Sequence, residues 1–201
     1  MRAKSETRRQ AILEAASDVF QEMGFERATM AAICERLGYS KATLYNYFSS
    51  KEELFSAVAF GATEIEFQAT LSALNTDVED MTKALEDFGR GLLTLLYAPD
   101  VQAVRRMIVA EAGRSELGKQ CYKLGPVRSE AALAAFLQQA MKSGKLRQAD
   151  ARIASLHLRA LLESELLDRF LFQTLDQVSA KEIRSMVQRA VAMFMAAYGP
   201  A

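Results

Sequence analysis

The sequence LGYSKATLYNYFSSKEELF, residues 37–55, is the most informative segment in the first part of the chain. Gly38 and Ser40 separate two short apolar-periodic segments, and this order is typical of one helix ending and the next beginning. We predict helices over residues 30–37 and 41–47, each N-capped by the hydroxyl residue before it. Two short helices joined by a tight turn that contains glycine indicate a helix-turn-helix, whose second helix enters the DNA major groove.

The second helix has an exposed face suited to a DNA groove. Leu44 and Phe48 lie four residues apart and are expected to pack inward. Ala42, Thr43, Tyr45 and Asn46 are then expected to point outward. Together with Lys41 they supply the amide, hydroxyl, lysine and small side chains that match base edges, thymine methyls and phosphate oxygens. The predicted DNA contacts are Thr29, Ser40, Lys41, Ala42, Thr43, Tyr45, Asn46, Tyr47 and Lys51. The alternative is a plain three-helix packing motif with boundary tyrosines and solvated lysines, and the exposed polar face favours DNA binding over it.

The charge of the whole chain supplies no long-range attraction to nucleic acid. Lysine plus arginine and aspartate plus glutamate each number 25, so any DNA binding has to be local. Residues 1–9 are the most one-sided charge cluster in the first domain, because they contain Arg2, Lys4, Arg8 and Arg9 and a single acidic residue, Glu6. Two interpretations remain open for this cluster, a solvated tail and an arm that contacts DNA.

Several classes of protein are not expected. The longest apolar run, residues 190–198, is too short for a membrane span, and the N-terminus is charged where a secretory signal needs apolar residues, so we expect a cytoplasmic chain that begins near Met1. Cys34 and Cys121 form no close pair, and His157 has no metal-ligand neighbour in sequence. We therefore predict no disulfide, metal or cofactor. An enzyme is the least expected class, since no nucleophile context or phosphate-binding loop is present.

The remaining sequence is helical in pattern. Apolar residues recur at spacings of three and four residues, which predicts an all-α protein of about nine or ten helices. We assign residues 1–50 to the helix-turn-helix domain, with the reading motif at about 29–48, and residues 51–201 to a larger helical bundle that binds an effector and dimerises. Three capping boxes are predicted, at Ser50 and Glu53, Thr76 and Glu79, and Ser179 and Glu182. Long helices are predicted over residues 7–23, 51–73 and 150–172, and Gly125-Pro126 is expected to separate two others.

The sequence AILEAASDVFQEMGFERATMAAICERLGYSKATLYNYFSSKEELF, residues 11–55, carries a family resemblance. It resembles the N-terminal domain of the TetR family of bacterial transcriptional regulators, with Cys34 at a position commonly occupied by alanine. The resemblance implies base reading by the second short helix and phosphate contacts from Tyr45 and Lys51. Residues 103–128 are more loosely similar to an AefR-like subgroup of that family, although only Ser115 separates Arg114 from Glu116 where the subgroup has an aromatic-proline step.

A homodimer is expected, because two copies double the DNA contacts and match a palindrome. The resemblance places dimerisation in the larger domain, where the last two helices are strongly apolar. The residues predicted for the interface are Leu162, Leu166, Phe170, Ile183, Val187, Val191 and Phe194. The alternative for these residues is an ordinary intrachain core.

An effector pocket is also expected in the larger domain. Gly89 and Gly91 within a predicted helix favour a cavity, because glycine there lowers stability unless it leaves room or permits close packing. The predicted lining is Phe88, Leu92, Leu96, Arg106, Met107, Glu111, Tyr122, Phe136, Met141 and Glu163. Such a lining suits a small apolar or amphipathic effector. The alternative is that each of these residues is ordinary core or a solvated charge.

The function predicted from the sequence is that of a ligand-responsive transcriptional regulator. It is expected to act as a repressor, to bind a palindromic operator as a homodimer, and to be released by a small-molecule effector. The alternative is a DNA-binding regulator whose larger domain binds a partner protein instead of a small ligand.

Overall fold

The computed structural model describes residues 2–61, 63–74 and 80–200, with side chains described from Glu6 onward. Every regular element in these ranges is helical, which confirms the all-α prediction. The helices are α1 (Arg2–Arg27), α2 (Met30–Leu37), α3 (Lys41–Tyr45), α4 (Lys51–Gly61), α5 (Glu64–Ser72), α6 (Met81–Leu96), α7 (Pro99–Glu111), α8 (Leu117–Tyr122), α9 (Arg128–Lys142), α10 (Ala151–Glu163), α11 (Leu167–Leu171) and α12 (Ala180–Tyr198). A π-helical turn, Lys123–Val127, lies between α8 and α9.

The chain forms two compact units. The first contains Met1–Ala62 and Met107–Leu124, and the second contains Thr63–Arg106 and Gly125–Ala201. In the first unit α1 packs on α2 and α4, α2 packs on α3, and α4 packs on α8. An aromatic cluster of Phe20, Phe25 and Phe55 adds edge-to-face contacts between α1 and α4, with Phe55 ring centroids 5.0 Å from Phe20 and 5.1 Å from Phe25.

Gly24 separates the long first helix from its last residues. Its φ of 73° and ψ of 163° are non-helical, and glycine adopts a positive φ without the clash that a Cβ would cause. This agrees with the helix end that we predicted there, although Phe25–Arg27 add one further turn. The apolar spacing of Ile12, Ala16, Val19, Phe20 and Met23 predicts one inward face. The first four are buried, whereas Met23, next to the non-helical Gly24, is half-buried.

The second unit is a helical bundle. Helix α6 packs on α5 and α12, and α10 packs on α9 and α12. Its core includes Phe88, Leu137, Leu158 and Phe194, all fully buried. Side chains from four different helices therefore share one apolar interior, and their burial is the main force that holds the bundle together.

The two glycines of α6 serve close packing and do not leave a cavity. A Cβ at Gly89 would lie 2.7 Å from Leu162 Cδ2 and 2.9 Å from Val187 Cγ1. A Cβ at Gly91 would lie 2.9 Å from Thr70 Oγ1. The expectation of a cavity at these positions is wrong, because neighbouring side chains occupy the space that the missing side chains leave.

Two long helices predicted from the sequence are each divided. In place of one helix over residues 51–73, α4 ends at Gly61 and α5 begins at Glu64, and Thr63 has a non-helical ψ of 6°. In place of one helix over residues 150–172, α10 ends at Glu163 and α11 begins at Leu167. Packing accounts for the first division, since α4 contacts α1 and α8 whereas α5 contacts α6 and α9.

Other predicted helix ends have mixed outcomes. The Ser179–Glu182 capping box is present with both of its reciprocal hydrogen bonds. Thr76 and Glu79 lie outside the described residues, and α6 is N-capped by Asp80, which accepts from Lys83 N. Gly125-Pro126 does not separate two helices, because the π-helical turn carries the chain from α8 into α9 without a break.

An ion pair joins α5 to α9. Arg128 Nη2 lies 2.7 Å from Glu64 Oε1, and Arg128 Nη1 lies 3.0 Å from Glu64 Oε2. Hydrogen bonds lower the pKa of Glu64 from its ordinary value of 4.5 to about 2, and the bonds from Arg128 contribute more than the bond from Gln68. A lowered carboxylate pKa stabilises the fold above the ordinary value, and this stabilisation is lost as the pH falls through the lowered one.

Glu64→Gln is therefore expected to lower the free energy of unfolding at pH 7 by less than about 1 kcal/mol, because the pair is partly exposed and screened. The deficit relative to wild type should shrink as the pH falls below 4.5 toward 2. Urea unfolding curves recorded between about pH 3 and pH 7, at intervals of roughly one pH unit, measure both effects. Glu66→Gln, an exposed position on the same helix, is the control. A deficit that is the same at every pH would contradict the role of the pair.

Candidate DNA-binding site

Side-chain caps fix the ends of α2 and α3. Thr29 Oγ1 accepts from Ala32 N at 3.1 Å, and Ser40 Oγ accepts from Thr43 N at 3.1 Å. Between the helices Gly38 has a φ of 67°, a left-handed conformation that glycine adopts readily. These caps and this turn are the ones predicted from the sequence, and together they set the direction in which α3 leaves α2.

Helix α3 buries one side and exposes the other. Leu44 is fully buried and Phe48, just past the helix, is 3% exposed. On the opposite side Lys41, Ala42, Tyr45 and Asn46 are exposed, and Tyr45 retains 49% of its accessible surface. We call these four exposed residues the reading face, after the role that the sequence predicts for them.

Two further predicted contacts, Thr43 and Tyr47, are half-buried. Thr43 Oγ1 lies 2.9 Å from Ser40 Oγ, so the Thr43 hydroxyl already has a partner within the protein. Its methyl group can still contact a thymine methyl, whereas its hydroxyl would have to exchange partners to bind a base.

Lys51 is held more tightly than the sequence indicates. Its Nζ donates to the carbonyl oxygens of Phe25 at 2.7 Å and Glu26 at 3.3 Å, and it lies 4.3 Å from the centroid of the Phe25 ring. A cation beside the last carbonyls of α1 is favourable there. An ammonium has three donors, so phosphate binding by Lys51 would use the remaining donor or exchange one of these bonds.

The start of α4 is capped by two serines. Ser50 Oγ accepts from Glu53 N at 3.1 Å, which is one half of the predicted capping box. The carboxylate of Glu53 accepts instead from Ser49 N at 2.7 Å and Ser49 Oγ at 2.6 Å. The box is therefore displaced by one residue, and these bonds fix the chain between α3 and α4.

Two arginines that the sequence-based site did not include form contacts in this region, one within the helix-turn-helix and one on α1. Arg36 of α2 forms a two-pronged ion pair with Glu22 of α1, at 2.7 Å and 2.6 Å. The guanidinium of Arg9 lies 5.4 Å from the centroid of the Phe48 ring, just past the reading helix. The charge cluster at the N-terminus had indicated Arg9, but only the fold shows which aromatic residue it contacts.

The cap of the reading helix gives a test of local stability. Replacing Ser40 by alanine removes the acceptor for Thr43 N, and we expect a loss of about 1 kcal/mol in unfolding free energy. Ser40→Gly should cost only a few tenths of a kcal/mol, because glycine is tolerated at an N-cap. Thermal and urea unfolding measure the difference. Equal losses for the two variants would show that the cap does not stabilise α3.

The residues predicted to line an effector pocket lie in different environments. Phe88, Leu92, Phe136 and Met141 are buried in the core of the second unit, and Glu163 is buried as well. Leu96, Arg106, Met107 and Glu111 are half-buried. Tyr122 is 56% exposed. Met107, Glu111 and Tyr122 belong to the first unit and the other seven to the second.

The residues predicted for the dimer interface are buried within one protomer. Leu162, Leu166, Phe170, Ile183, Val187, Val191 and Phe194 all belong to the core of the second unit, and none is more than 6% exposed. A side chain that its own chain covers has no surface to offer to a partner, so this assignment needs correction. The apolar periodicity located the inward faces of α10 and α12, and any interface on these helices uses their outward faces.

Both cysteines, Cys34 and Cys121, are buried thiols. Burial raises the pKa of Cys121, and its Sγ lies 3.4 Å from Ser56 Oγ.

No helix in the described ranges is both long and apolar enough to span a membrane.

An exposed polar reading face on a short capped helix, braced by a second helix across a left-handed glycine, defines a helix-turn-helix DNA-binding protein. Two family models match the chain. One, described as bacterial regulatory proteins of the tetR family, covers residues 12–58, and the other, described as the C-terminal domain of an AefR-like transcriptional repressor, covers residues 83–200. The chain belongs to the TetR family. It is a DNA-binding transcriptional regulator, and the proteins of this family are not enzymes.

Solved structures and curated relatives agree with this assignment. A TetR-family transcriptional regulator from Mesorhizobium loti is 27% identical with a TM-score of 0.82, over 97% of this chain and 98% of that one. The flavonoid-responsive regulator FrrA is 29% identical with a TM-score of 0.77, over the same shares of the two chains. The HTH-type transcriptional regulator YfiR of Bacillus subtilis is 34% identical over 103 residues, which are 47% of this chain and 50% of that protein. The match thus spans half the length of this curated relative.

Proposed function

We propose that the protein is a repressor that binds a palindromic operator as a homodimer and leaves it when a small-molecule effector binds. The observation that carries the DNA part is the reading face, on which Lys41, Ala42, Tyr45 and Asn46 are exposed while Leu44 anchors the helix. The description of the matching C-terminal model as that of a repressor supports the sign of regulation. The name of FrrA, a flavonoid-responsive regulator, supports an effector that is a small organic molecule.

The residues of the reading face divide into two roles. Lys41 and Asn46 have the donors and acceptors that distinguish base edges, and Ala42 allows the backbone to approach the groove closely. Tyr45 carries a hydroxyl suited to a phosphate oxygen. Thr29 and Lys51 lie at the starts of α2 and α4, where helix dipoles favour phosphate. Base contacts would set sequence preference, and phosphate contacts would set affinity and its salt dependence.

A two-step experiment tests this function. Genomic fragments bound by the purified full chain are selected and sequenced, and the enriched site is then used to screen compounds that release it. The expected site is a palindrome whose half-sites are a helical turn, about 34 Å, or more apart. Failure to enrich any sequence would overturn the DNA part. A site that no compound releases, but that a partner protein does, would favour the alternative in which the larger unit binds a protein.

The outward faces of α10 and α12 are the proposed dimer surface. They carry exposed apolar side chains, among them Ile153 at 41% and Met193 at 63%. Two such helices from each protomer would form the four-helix contact that suits a two-fold dimer.

Ile153→Asp is expected to weaken the dimer at least about tenfold, because a carboxylate within the proposed apolar contact would lose its hydration. Sedimentation measures the change. Ile65→Asp, at an isoleucine that is 81% exposed on α5, is the matched control and should leave the dimer unchanged. Equal effects of the two substitutions would place the interface elsewhere.

A further inference from the structure

A cleft opens on the second unit between the first half of α7 and the segment from α10 to α11. Its volume is about 520 Å³, and Arg105, Arg159, Glu163 and Asp168 line it together with Leu156 and Leu167. Pockets for small ligands commonly fall in the range of roughly 300 to 1,000 Å³. Of the residues that the sequence assigned to an effector pocket, this cleft contains only Glu163.

A buried carboxylate with both oxygens hydrogen-bonded lines part of the cleft. Glu163 is 5% exposed, and its Oε1 accepts from Tyr97 Oη at 3.1 Å and from Arg105 Nη2 at 3.1 Å. Its Oε2 accepts from Arg159 Nε at 3.2 Å. Because both oxygens are bonded, Glu163 acts as a fixed support for the two arginines and not as a group that a ligand must satisfy.

Arg105 is fixed, whereas Arg159 retains donors. Arg105 also donates from Nη1 to Leu96 O at 3.0 Å, and its guanidinium lies 4.5 Å from the centroid of the Phe170 ring. Within the described residues the Arg159 side chain makes one hydrogen bond, from Nε to Glu163. Its terminal nitrogens therefore remain able to donate to a ligand oxygen, and its guanidinium plane can stack on an aromatic ring.

The charges of the lining cancel. Two arginines face two carboxylates, so the cleft has no net attraction for an anion or a cation. The carboxylate of Asp168 forms no hydrogen bond or ion pair with the described part of the chain, and it can accept from a ligand hydroxyl. Leu156 and Leu167, 37% and 39% exposed, supply the apolar wall.

We propose that this cleft is the effector site and that it takes a neutral, planar aromatic molecule with hydroxyl groups. The ring stacks on Arg159 between the two leucines, an oxygen of the ligand accepts from Arg159, and a ligand hydroxyl donates to Asp168. This proposal deepens the proposed function, because it names the site and the chemical class of the effector. The cleft shares α10 with the proposed dimer surface, so a ligand there can bias the arrangement of the two protomers.

The probes are apigenin, a hydroxylated flavone, unsubstituted flavone, which has the same ring system without hydroxyls, and decanoate, an apolar anion. Isothermal titration of the full wild-type chain should give a Kd for apigenin at least about tenfold lower than for flavone or decanoate, since a site built for hydroxyls rejects an analogue that lacks them. Equal affinity for apigenin and flavone, or preference for decanoate, would overturn the ligand class.

Substitutions locate the site. Arg159→Gln is expected to raise the Kd for apigenin about tenfold, and Asp168→Asn about fivefold, because each weakens a charge-assisted hydrogen bond. The Asp168 side chain is exposed and has no partner among the described residues, so Asp168→Asn is expected to fold normally. It still tests the site if Arg159→Gln disturbs folding. Arg152→Gln, on the same helix and paired with Glu130, is the matched control and should change the Kd less than twofold.

Two further measurements test whether the cleft acts within one protomer and whether its ligand controls DNA binding. Sedimentation of the Arg159 and Asp168 variants should show the wild-type mass. If the variants lose ligand binding only when they also lose the dimer, the cleft depends on the partner protomer and the proposal is overturned. Release of operator DNA is then measured with apigenin. Release that persists unchanged in both variants would overturn the site but keep the effector-responsive function. Binding that follows the expected pattern without release would keep the site and reject that function.

Discussion

Replacing Ala42 by glutamate is expected to weaken operator binding at least about 100-fold, the largest effect on function expected of a single substitution. Ala42 is exposed in the first turn of α3, on the reading face between Lys41 and Thr43. A carboxylate there meets the phosphates and base-edge acceptors of the groove, and its volume keeps the backbone away from the bases. The proposed homodimer would carry the substitution twice, so the loss would apply at both half-sites.

The stability of the Ala42→Glu variant should not fall. The position is exposed, and a negative charge in the first turn of a helix is favourable by a few tenths of a kcal/mol, up to about 1 kcal/mol. Fluorescence anisotropy with the selected operator measures binding, and urea unfolding measures stability. Ala135→Glu, at an exposed position of α9 in the second unit, is the control and should bind DNA like wild type. If the operator affinity of the Ala42→Glu variant is within threefold of wild type, α3 does not lie in the DNA interface.

Phe88→Ala is expected to cost about 3 to 5 kcal/mol of unfolding free energy, the largest effect on stability. The side chain is fully buried on α6 within the core of the second unit, adjacent to Gly89, where α6 closely approaches Leu162 and Val187. Truncation removes apolar contacts and leaves a cavity that tightly packed neighbours cannot fill. A loss of this size is comparable with the whole stability of many domains, so the variant should be partly unfolded at growth temperature.

The same measurement separates two roles for Phe88. A core residue loses this stability without any ligand, whereas the wall of an empty pocket has little packing to lose. Urea unfolding is compared at one protein concentration, because dimerisation contributes to apparent stability. Thr94→Ala, at an exposed position on the same helix, should change stability by less than about 0.5 kcal/mol. A loss below about 1 kcal/mol for Phe88→Ala would favour the pocket assignment over the core assignment.

Local features of the DNA-binding part were predictable because they depend on residues close together in sequence. Thr29 and Ser40 cap the helices that follow them, and Gly24 and Gly38 have the positive φ angles that end the helices before them. A cap joins groups two or three residues apart, and a left-handed turn depends on one residue, so no knowledge of distant packing is needed. The exposure of Ala42, Tyr45 and Asn46 follows equally from the four-residue spacing of Leu44 and Phe48.

The larger unit shows where this reasoning ends. Hydrophobic periodicity identified the apolar faces of α10 and α12, but it carries no information on whether the same chain or a second copy covers them. The structure shows that the protomer covers them itself. In the same way, Arg105 and not its neighbour Arg106 reaches Glu163, because one position along a helix turns the side chain by about 100°.

Local sequence was sufficient to predict an all-helical protein, the start of α3 and most of the side chains that α3 exposes, since those properties arise within a few residues of chain. Thr43, which was expected to be exposed, is half-buried beside Ser40. The partners of distant groups became known only from the folded chain. It placed the Lys51 ammonium on the carbonyls of Phe25 and Glu26, packed Gly89 against Leu162, and brought Arg105 to the buried carboxylate of Glu163. Each of these contacts joins residues that are far apart in the chain, and only the packing of whole helices against one another fixes such arrangements.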